Sequence, residues 1–189
     1  ENLVTPFKNI TELVVSRDGS VWIGTAGNGL WRMTPQKNDF TYQKIQPSNA
    51  DKESMKKISA LYEDRFGNIW IGTQNSGLWK CRLASQTTLF HSSDIGLNNL
   101  YCTTFFESDN GKVWIGTDGQ GLFLVDSLFS LNNHFSDSNG LTSSNVLSSA
   151  VIGSQTYFAS WGGEIVRTDG NSTKFTKVPF YGLSSPSFS

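Results

Sequence analysis

The sequence predicts an all-β fold, a β-propeller represented by four blades of four antiparallel strands each, and three observations carry that prediction. The tetrapeptide Trp-Ile-Gly-Thr occurs at residues 22–25, 70–73 and 114–117, with starts 48 and 44 residues apart. That period falls within the roughly 40–50 residues of a four-stranded propeller blade. Each copy is framed by Gly-containing turns, and short β-branched and aromatic runs bounded by Gly, Asn and Asp suit hairpin-linked strands, because those residues reach positive φ cheaply. No stretch shows helical periodicity, so almost no helix is expected.

Within the first blade, about residues 8–55, Ile10 to Val15 form a first strand. Asp18-Gly19 turn the chain into Val21 to Thr25, and residues 26–29 turn it again into Leu30-Trp31-Arg32. The second blade, about residues 56–98, repeats this with Ile58 to Tyr62, the turn Phe66-Gly67-Asn68, Ile69-Trp70-Ile71, the turn at 74–77 and Leu78-Trp79-Lys80. The third, about residues 99–144, has Cys102 to Phe106, Asn110-Gly111, Val113-Trp114-Ile115, the turn at 118–121 and Leu122-Phe123-Leu124. A decayed fourth copy, about residues 145–183, runs Leu147 to Ile152, Tyr157 to Ser160, Trp161-Gly162-Gly163 and Ile165-Val166, with Tyr157 in the place of Trp114. Gly182-Leu183-Ser184-Ser185 repeats the link that leads into blades three and four, so residues 184–189 are expected to start a further blade. The expectation is a fragment of a larger, about seven-bladed propeller. Two open blade faces would then attract partners, which makes self-association through open blade edges the expected assembly.

Aromatic residues, 6 Trp, 5 Tyr and 13 Phe, supply large side chains for packing blade against blade. Trp22, Trp70, Trp114 and Tyr157, with Gly24, Gly72 and Gly116 beside them, are therefore assigned to the structural core of the repeat. The two cysteines fall on the third strand of blade two (Cys81) and the first strand of blade three (Cys102), too far apart for disulfide reach, and two buried free thiols are expected.

The blade pattern, best seen in residues 18–25 with 29–32 and in residues 63–73 with 77–79, closely resembles the two-component regulator propeller repeat. The Gly-Leu-Asn-Asn and Gly-Leu-Thr-Ser-Ser-Asn stretches resemble that family's links between blades. The resemblance implies a ligand-sensing, periplasmic or extracytoplasmic input region of a bacterial inner-membrane receptor, with a receptor homodimer as the alternative to self-association through blade edges. Its output would be a histidine kinase or a diguanylate cyclase outside this segment, and its ligand a carbohydrate or other small polar molecule. Blade four departs from the pattern, with Tyr-Phe-Ala-Ser for Trp-Ile-Gly-Thr.

In a propeller the loops between second and third strands share a face with the links between blades, and such loops carry binding residues on a rigid scaffold. The first set offers Asn28, Gln74, Asn75, Asp118, Gln120 and Trp161, and the second Asn98, Asn99, Ser143 and Asn145. Amides donate and accept hydrogen bonds, which suits hydroxyl-rich ligands, and a Trp can stack on a sugar face. Turn chemistry alone favours Asn, Asp and Gly here, but it does not explain Gln74, Gln120 or Trp161.

Enzymatic and nucleic-acid functions find little support. His91 and His134 sit 43 residues apart at matching points of blades two and three and read as a repeat position, without companion ligands at metal spacing. There is no Gly-x-Ser-x-Gly or His-Glu-x-x-His motif, and neither a metal nor a cofactor is expected. Asp18, Asp64 and Asp109 precede the Trp strands and read as turn residues on the opposite face, which ranks a glycoside hydrolase or lyase last. A protein-interaction scaffold remains the alternative to a sensor, without the Trp-Asp and Gly-His marks of WD repeats. Fifteen Lys and Arg against sixteen Asp and Glu give a formal charge of −1 with no basic stripe, so no nucleic-acid partner is expected. The mixed-charge stretch 51–57 reads as a solvated link, with a docking knob as its second reading.

Overall fold

The computed structural model describes residues 6–47, 53–82, 88–97, 99–169 and 174–179. Sixteen strands form four four-stranded antiparallel sheets among these residues. Blade one comprises β1 (Ile10–Val15), β2 (Val21–Thr25), β3 (Leu30–Pro35) and β4 (Phe40–Ile45). Blade two has β5 (Ile58–Glu63), β6 (Ile69–Thr73), β7 (Leu78–Arg82) and β8 (Thr88–His91). Blade three has β9 (Cys102–Glu107), β10 (Val113–Thr117), β11 (Gly121–Val125) and β12 (Leu131–Phe135), and blade four β13 (Val146–Ile152), β14 (Gln155–Ser160), β15 (Ile165–Thr168) and β16 (Thr176–Lys177). Strands pair in sequence order within every sheet, and the first strands contact one another from blade to blade, which places them innermost. A single 3₁₀ turn, Ser92–Ile95, is the helical structure of the described residues. Residues 184–189, expected to open a further blade, lie outside the described residues.

Each residue of Trp-Ile-Gly-Thr has its own physical task, because alternate strand residues face opposite sides of the sheet. The Trp turns toward the next blade: Trp22 packs in one cluster with Ile58 and Leu61, Trp70 with Phe105 and Phe129, and Trp114 with Phe158. The Ile faces the other way and is buried in all three copies. At the Gly, the next blade comes too close for a side chain. A Cβ on Gly24 would meet Ile58 Cγ2 at 2.6 Å, and one on Gly72 would meet Cys102 Cβ at 2.6 Å. The Thr is buried and staples the turn that follows: Thr25, Thr73 and Thr117 donate from Oγ1 to the carbonyls of Gly29, Gly77 and Gly121 at 2.8, 2.6 and 2.8 Å.

Two further sets of hydrogen bonds stitch the blades together. Every first strand carries a one-residue bulge against its second strand. In the first three blades a hydroxyl near it donates to the next blade's first strand: Thr11 to the Ile58 carbonyl (2.8 Å), Ser59 to Cys102 (2.5 Å) and Thr103 to Val146 (2.5 Å). On the face of the β1–β2 type turns, Arg17 pairs with Glu63 of blade two (3.3 Å), and Arg65 pairs with Glu107 of blade three (2.8 Å). Asp109 and Val151 replace Arg and Glu between blades three and four, so this clamp is missing there.

The first blade shows what an uncovered sheet face looks like. Leu13 and Val15 are 57% and 73% exposed, whereas Leu61 and Phe105, at the position of Leu13, are 9% and 8% exposed beneath the preceding blade. Tyr157 occupies the Trp position in register, paired with Arg167 as Trp114 is with Leu124, but it is only half-buried. Tyr157 therefore shares the register of the repeat Trp but not its complete burial. The physical reason is the lack of a covering sheet on that side among the described residues. Cys81 and Cys102 are free and buried, and burial pushes both thiols up to about 12.

Candidate functional site

Backbone hydrogen bonds weave the second-to-third-strand turns and the inter-blade links into one surface. Gly29 donates to the Lys56 carbonyl (3.1 Å), Gly77 to Leu100 (3.2 Å) and Gly121 to Ser144 (2.7 Å), each reaching the link into the following blade. Ala26, Gln74, Asp118 and Trp161 donate to the carbonyls of Asn9, Lys57, Tyr101 and Asn145, in the links of their own blades, at 2.9–3.0 Å. The two loop sets therefore share one face, as propeller geometry requires.

Five of the ten candidate residues form a connected strip across blades three and four. Gln120 Nε2 donates to the Asn99 carbonyl at 3.3 Å, and Asn145 Oδ1 stands 3.6 Å from where a Cβ on Gly119 would lie, between Asp118 and Gln120. The Trp161 amide is tied to Asn145, while its side chain is 72% exposed. Asn99 and Asp118 are exposed, and Asn99 holds a positive φ of 56°. Ser143 is next to the strip, but its Oγ accepts the Asn145 amide hydrogen at 3.2 Å and so serves the link itself. Gln74 is half-buried and Asn75 exposed on the neighbouring turn of blade two, the latter at φ 67°. The turn explanation is strongest for Asn75 and Asn99, since Asn tolerates this left-handed backbone. Asn28 lies on blade one, away from the strip, with its amide bound to Thr25 Oγ1 at 2.9 Å. Asn98 lies outside the described residues.

The carboxylates of the opposite face are turn residues, but they do not occupy one repeated position. Asp18 Oδ1 accepts from the Ser20 amide at 2.9 Å, and Asp64 accepts from the amides of Phe66 and Asn68 and from Trp70 Nε1. Asp109 stands where blades one and two carry Arg17 and Arg65. No group of three or more His, Cys, Asp or Glu able to hold a metal ion occurs among the described residues.

Sequence reasoning missed a cleft of about 190 Å³ lined by Gly29, Lys44, Ile45, Gln46, Glu53, Met55 and Lys56. It opens beside the blade-one turn, and its floor is Met55, only 2% exposed, from the stretch read as a solvated link. The signal for it was a Met within a charged run, since an apolar residue there needs somewhere to be buried. Glu164, next to Trp161 in the strip, is held below the usual carboxylate range by hydrogen bonds from Lys177 and Thr142.

Residues 53–75 and 96–119 match the family model described as two component regulator propeller. Among solved structures, the extracellular domain of BT3049 from B. thetaiotaomicron, described as a hybrid two component system, superposes with a TM-score of 0.76 at 20% identity. The match covers 95% of this chain and 24% of that one. The extracellular domain of BT4673 from the same organism, described as a one component system, gives 0.71 at 21% identity, covering 92% and 26%. PorZ, a surface component of the type-IX secretion system of Porphyromonas gingivalis, gives 0.70 at 16% identity, covering 86% and 26%. The chain thus spans about a quarter of the length of these proteins. No curated protein matches it. Identities this low show the propeller fold alone.

Proposed function

The chain carries two-component regulator propeller repeats, and from that premise we propose that it is a ligand-sensing segment of a bacterial membrane receptor, on the extracytoplasmic side of the membrane. The ligand is a carbohydrate or another small polar molecule, and the signal passes to a histidine kinase or diguanylate cyclase elsewhere on the parent chain. The observation that carries the ligand assignment is the strip of Asn99, Asp118, Gln120, Asn145 and Trp161, which sets three amides, one carboxylate and one exposed indole on a rigid sheet scaffold. Such a strip donates and accepts toward hydroxyl groups and stacks on a pyranose face. The charged pair Glu164 and Lys177 is internally compensated and Asp118 adds one exposed carboxylate, so the surface favours a neutral polar ligand over an anionic one.

Calorimetric titration of a panel of neutral oligosaccharides against the chain tests this reading. One sugar should bind, and Gln120→Ala with Trp161→Ala should weaken it by about ten-fold or more, the loss of one or two good contacts. A sugar that binds both forms equally would remove the strip, and turnover of the bound sugar would favour a hydrolase or lyase.

A protein-interaction reading is favoured by one observation, the exposed apolar face of blade one with Ile10, Leu13, Val15 and Phe40. We propose that another sheet covers it, from the same parent chain or from a second copy. Light scattering that shows a monomer at high concentration would count against the second copy.

A further inference from the structure

The carbonyl preceding each turn glycine is held by a side-chain N–H in the first three blades, and the donor differs. These carbonyls belong to Asn28, Ser76 and Gln120, followed by Gly29, Gly77 and Gly121 at φ 82°, 75° and 80°. In blade one Trp31 Nε1 reaches the Asn28 carbonyl at 3.2 Å. In blade two the equivalent Trp79 does not reach Ser76; His91 on β8 does, with Nε2 at 2.9 Å. In blade three Phe123 has no N–H to offer, and His134 on β12 supplies Nε2 to the Gln120 carbonyl at 2.7 Å. A carbonyl only accepts, so both histidines must carry the proton on Nε2. The Ser93 amide approaches His91 Nδ1 at 3.4 Å, which agrees with an accepting Nδ1.

The aromatic layer beneath accounts for the choice of donor. His91 packs on Trp79 with ring centroids 4.3 Å apart, and His134 stacks on Phe123 at 4.2 Å with the rings 2° from parallel. With His91 on the Ser76 carbonyl, Trp79 Nε1 is left buried and without a partner. A buried N–H normally finds an acceptor, and although Trp22 Nε1 is likewise without one, only the Trp79 indole sits at the position from which Trp31 reaches its turn carbonyl in blade one.

We propose that His91 and His134 are positioning residues that fix the peptide plane of the ligand-facing turns in blades two and three, and that Trp79 is a reserve donor for the Ser76 carbonyl. The turns concerned carry Gln74, Asn75 and Gln120. Each ends in a glycine at positive φ whose own amide is held by the Leu100 or Ser144 carbonyl, so the histidine is the second anchor of that peptide plane, and its loss leaves one anchor beside a permissive glycine. The consequence for binding rests on the ligand-face reading; the latch itself rests on geometry alone.

His→Phe and His→Gln substitutions in the whole chain separate latching from packing, because Phe keeps the ring stack and loses the donor, while Gln keeps a donor and loses the ring. His134→Phe should speed amide exchange in turn 118–121 by about ten-fold, an opening confined to the turn, and His134→Gln should restore most of the protection. His91→Phe should speed exchange in turn 74–77 by only about three-fold, because Trp79 takes over. In that variant the Trp79 indole proton resonance should move downfield as it gains the Ser76 carbonyl. Equal exchange in His134→Phe and the parent protein, an unmoved Trp79 indole resonance, or an Nδ1–H tautomer at either histidine would overturn the proposal. These readouts need no ligand, so they succeed or fail independently of the sugar titration.

Discussion

A single methyl group added at Gly72 probes the blade-to-blade packing on which the whole surface depends. The Cβ of Gly72→Ala would lie 2.6 Å from Cys102 Cβ, 3.2 Å from Ala60 Cβ and 3.3 Å from Phe105 Cε2. Ordinary carbon–carbon contact begins near 3.5 Å, so the first of these is short by roughly 1 Å. The obstacle is a Cβ, fixed to the β9 backbone, and no rotamer change moves it away. Overpacking of this kind costs about 1–3 kcal/mol, and a backbone-fixed obstacle places it toward 3. For a chain of this size each kcal/mol lowers the melting temperature by about 2–4 °C, which predicts a fall of about 6–12 °C. Thermal unfolding followed by tryptophan fluorescence, with urea titration as a check, measures it. A fall of less than about 2 °C would refute the reasoning, because it would mean that blades two and three do not approach as closely as the geometry requires.

Arg65→Ala removes the clamp between blades two and three, where the guanidinium binds Glu107 at 2.8 Å and the carbonyls of Ser108 and Asp109 at 2.6 Å each. It should cost about 2 kcal/mol in urea unfolding, since Glu107 is left nearly buried with its charge less well compensated. Thr73→Val removes the staple to the Gly77 carbonyl and should cost about 1–2 kcal/mol in the same assay, with turn 74–77 exchanging faster. Neither Cys81 nor Cys102 should react with a thiol reagent in the folded protein at pH 8, and both should react in urea. Their folded thiols titrate near 12, above the ordinary 9.0, so this contribution to stability is complete below pH 9 and is lost as the pH rises from there toward 12. Partial burial raises the Asp18 carboxyl, but hydrogen bonds from Ser20 and Arg32 outweigh it and leave it below its ordinary 3.8. Its contribution is therefore present above that pH and is lost on acidification through the lowered value, so Asp18→Asn should flatten the acid limb of the stability profile.

The strands and the shared loop face were legible because Trp-Ile-Gly-Thr fixes both register and period. A Trp that must be buried and a Gly that must be bare recur together only where sheets stack. The stitching was less legible. Thr11, Ser59 and Thr103 look like ordinary strand residues, and their role emerges only from the bulge that lets a hydroxyl reach the next blade. Asp18, Asp64 and Asp109 looked like one repeated position because turns tolerate Asp at several places; the structure separates them into three. Among the candidate ligand residues, the loops that carry Asn99, Asp118, Gln120, Asn145 and Trp161 came together, whereas Asn28 stayed on another blade. Sequence spacing gives the face of a loop residue but not its distance around the ring. The Met55 cleft was hidden for a similar reason, since the charged run around Met55 masks the burial of a single side chain.

The receptor assignment is tested most directly by reading the parent gene through both ends of this segment. The account predicts further Trp-Ile-Gly-Thr blades, then a membrane-spanning helix of about 20 apolar residues, then a histidine kinase or diguanylate cyclase. An open reading frame that stops just beyond residue 189, with no membrane segment on either side, would contradict it.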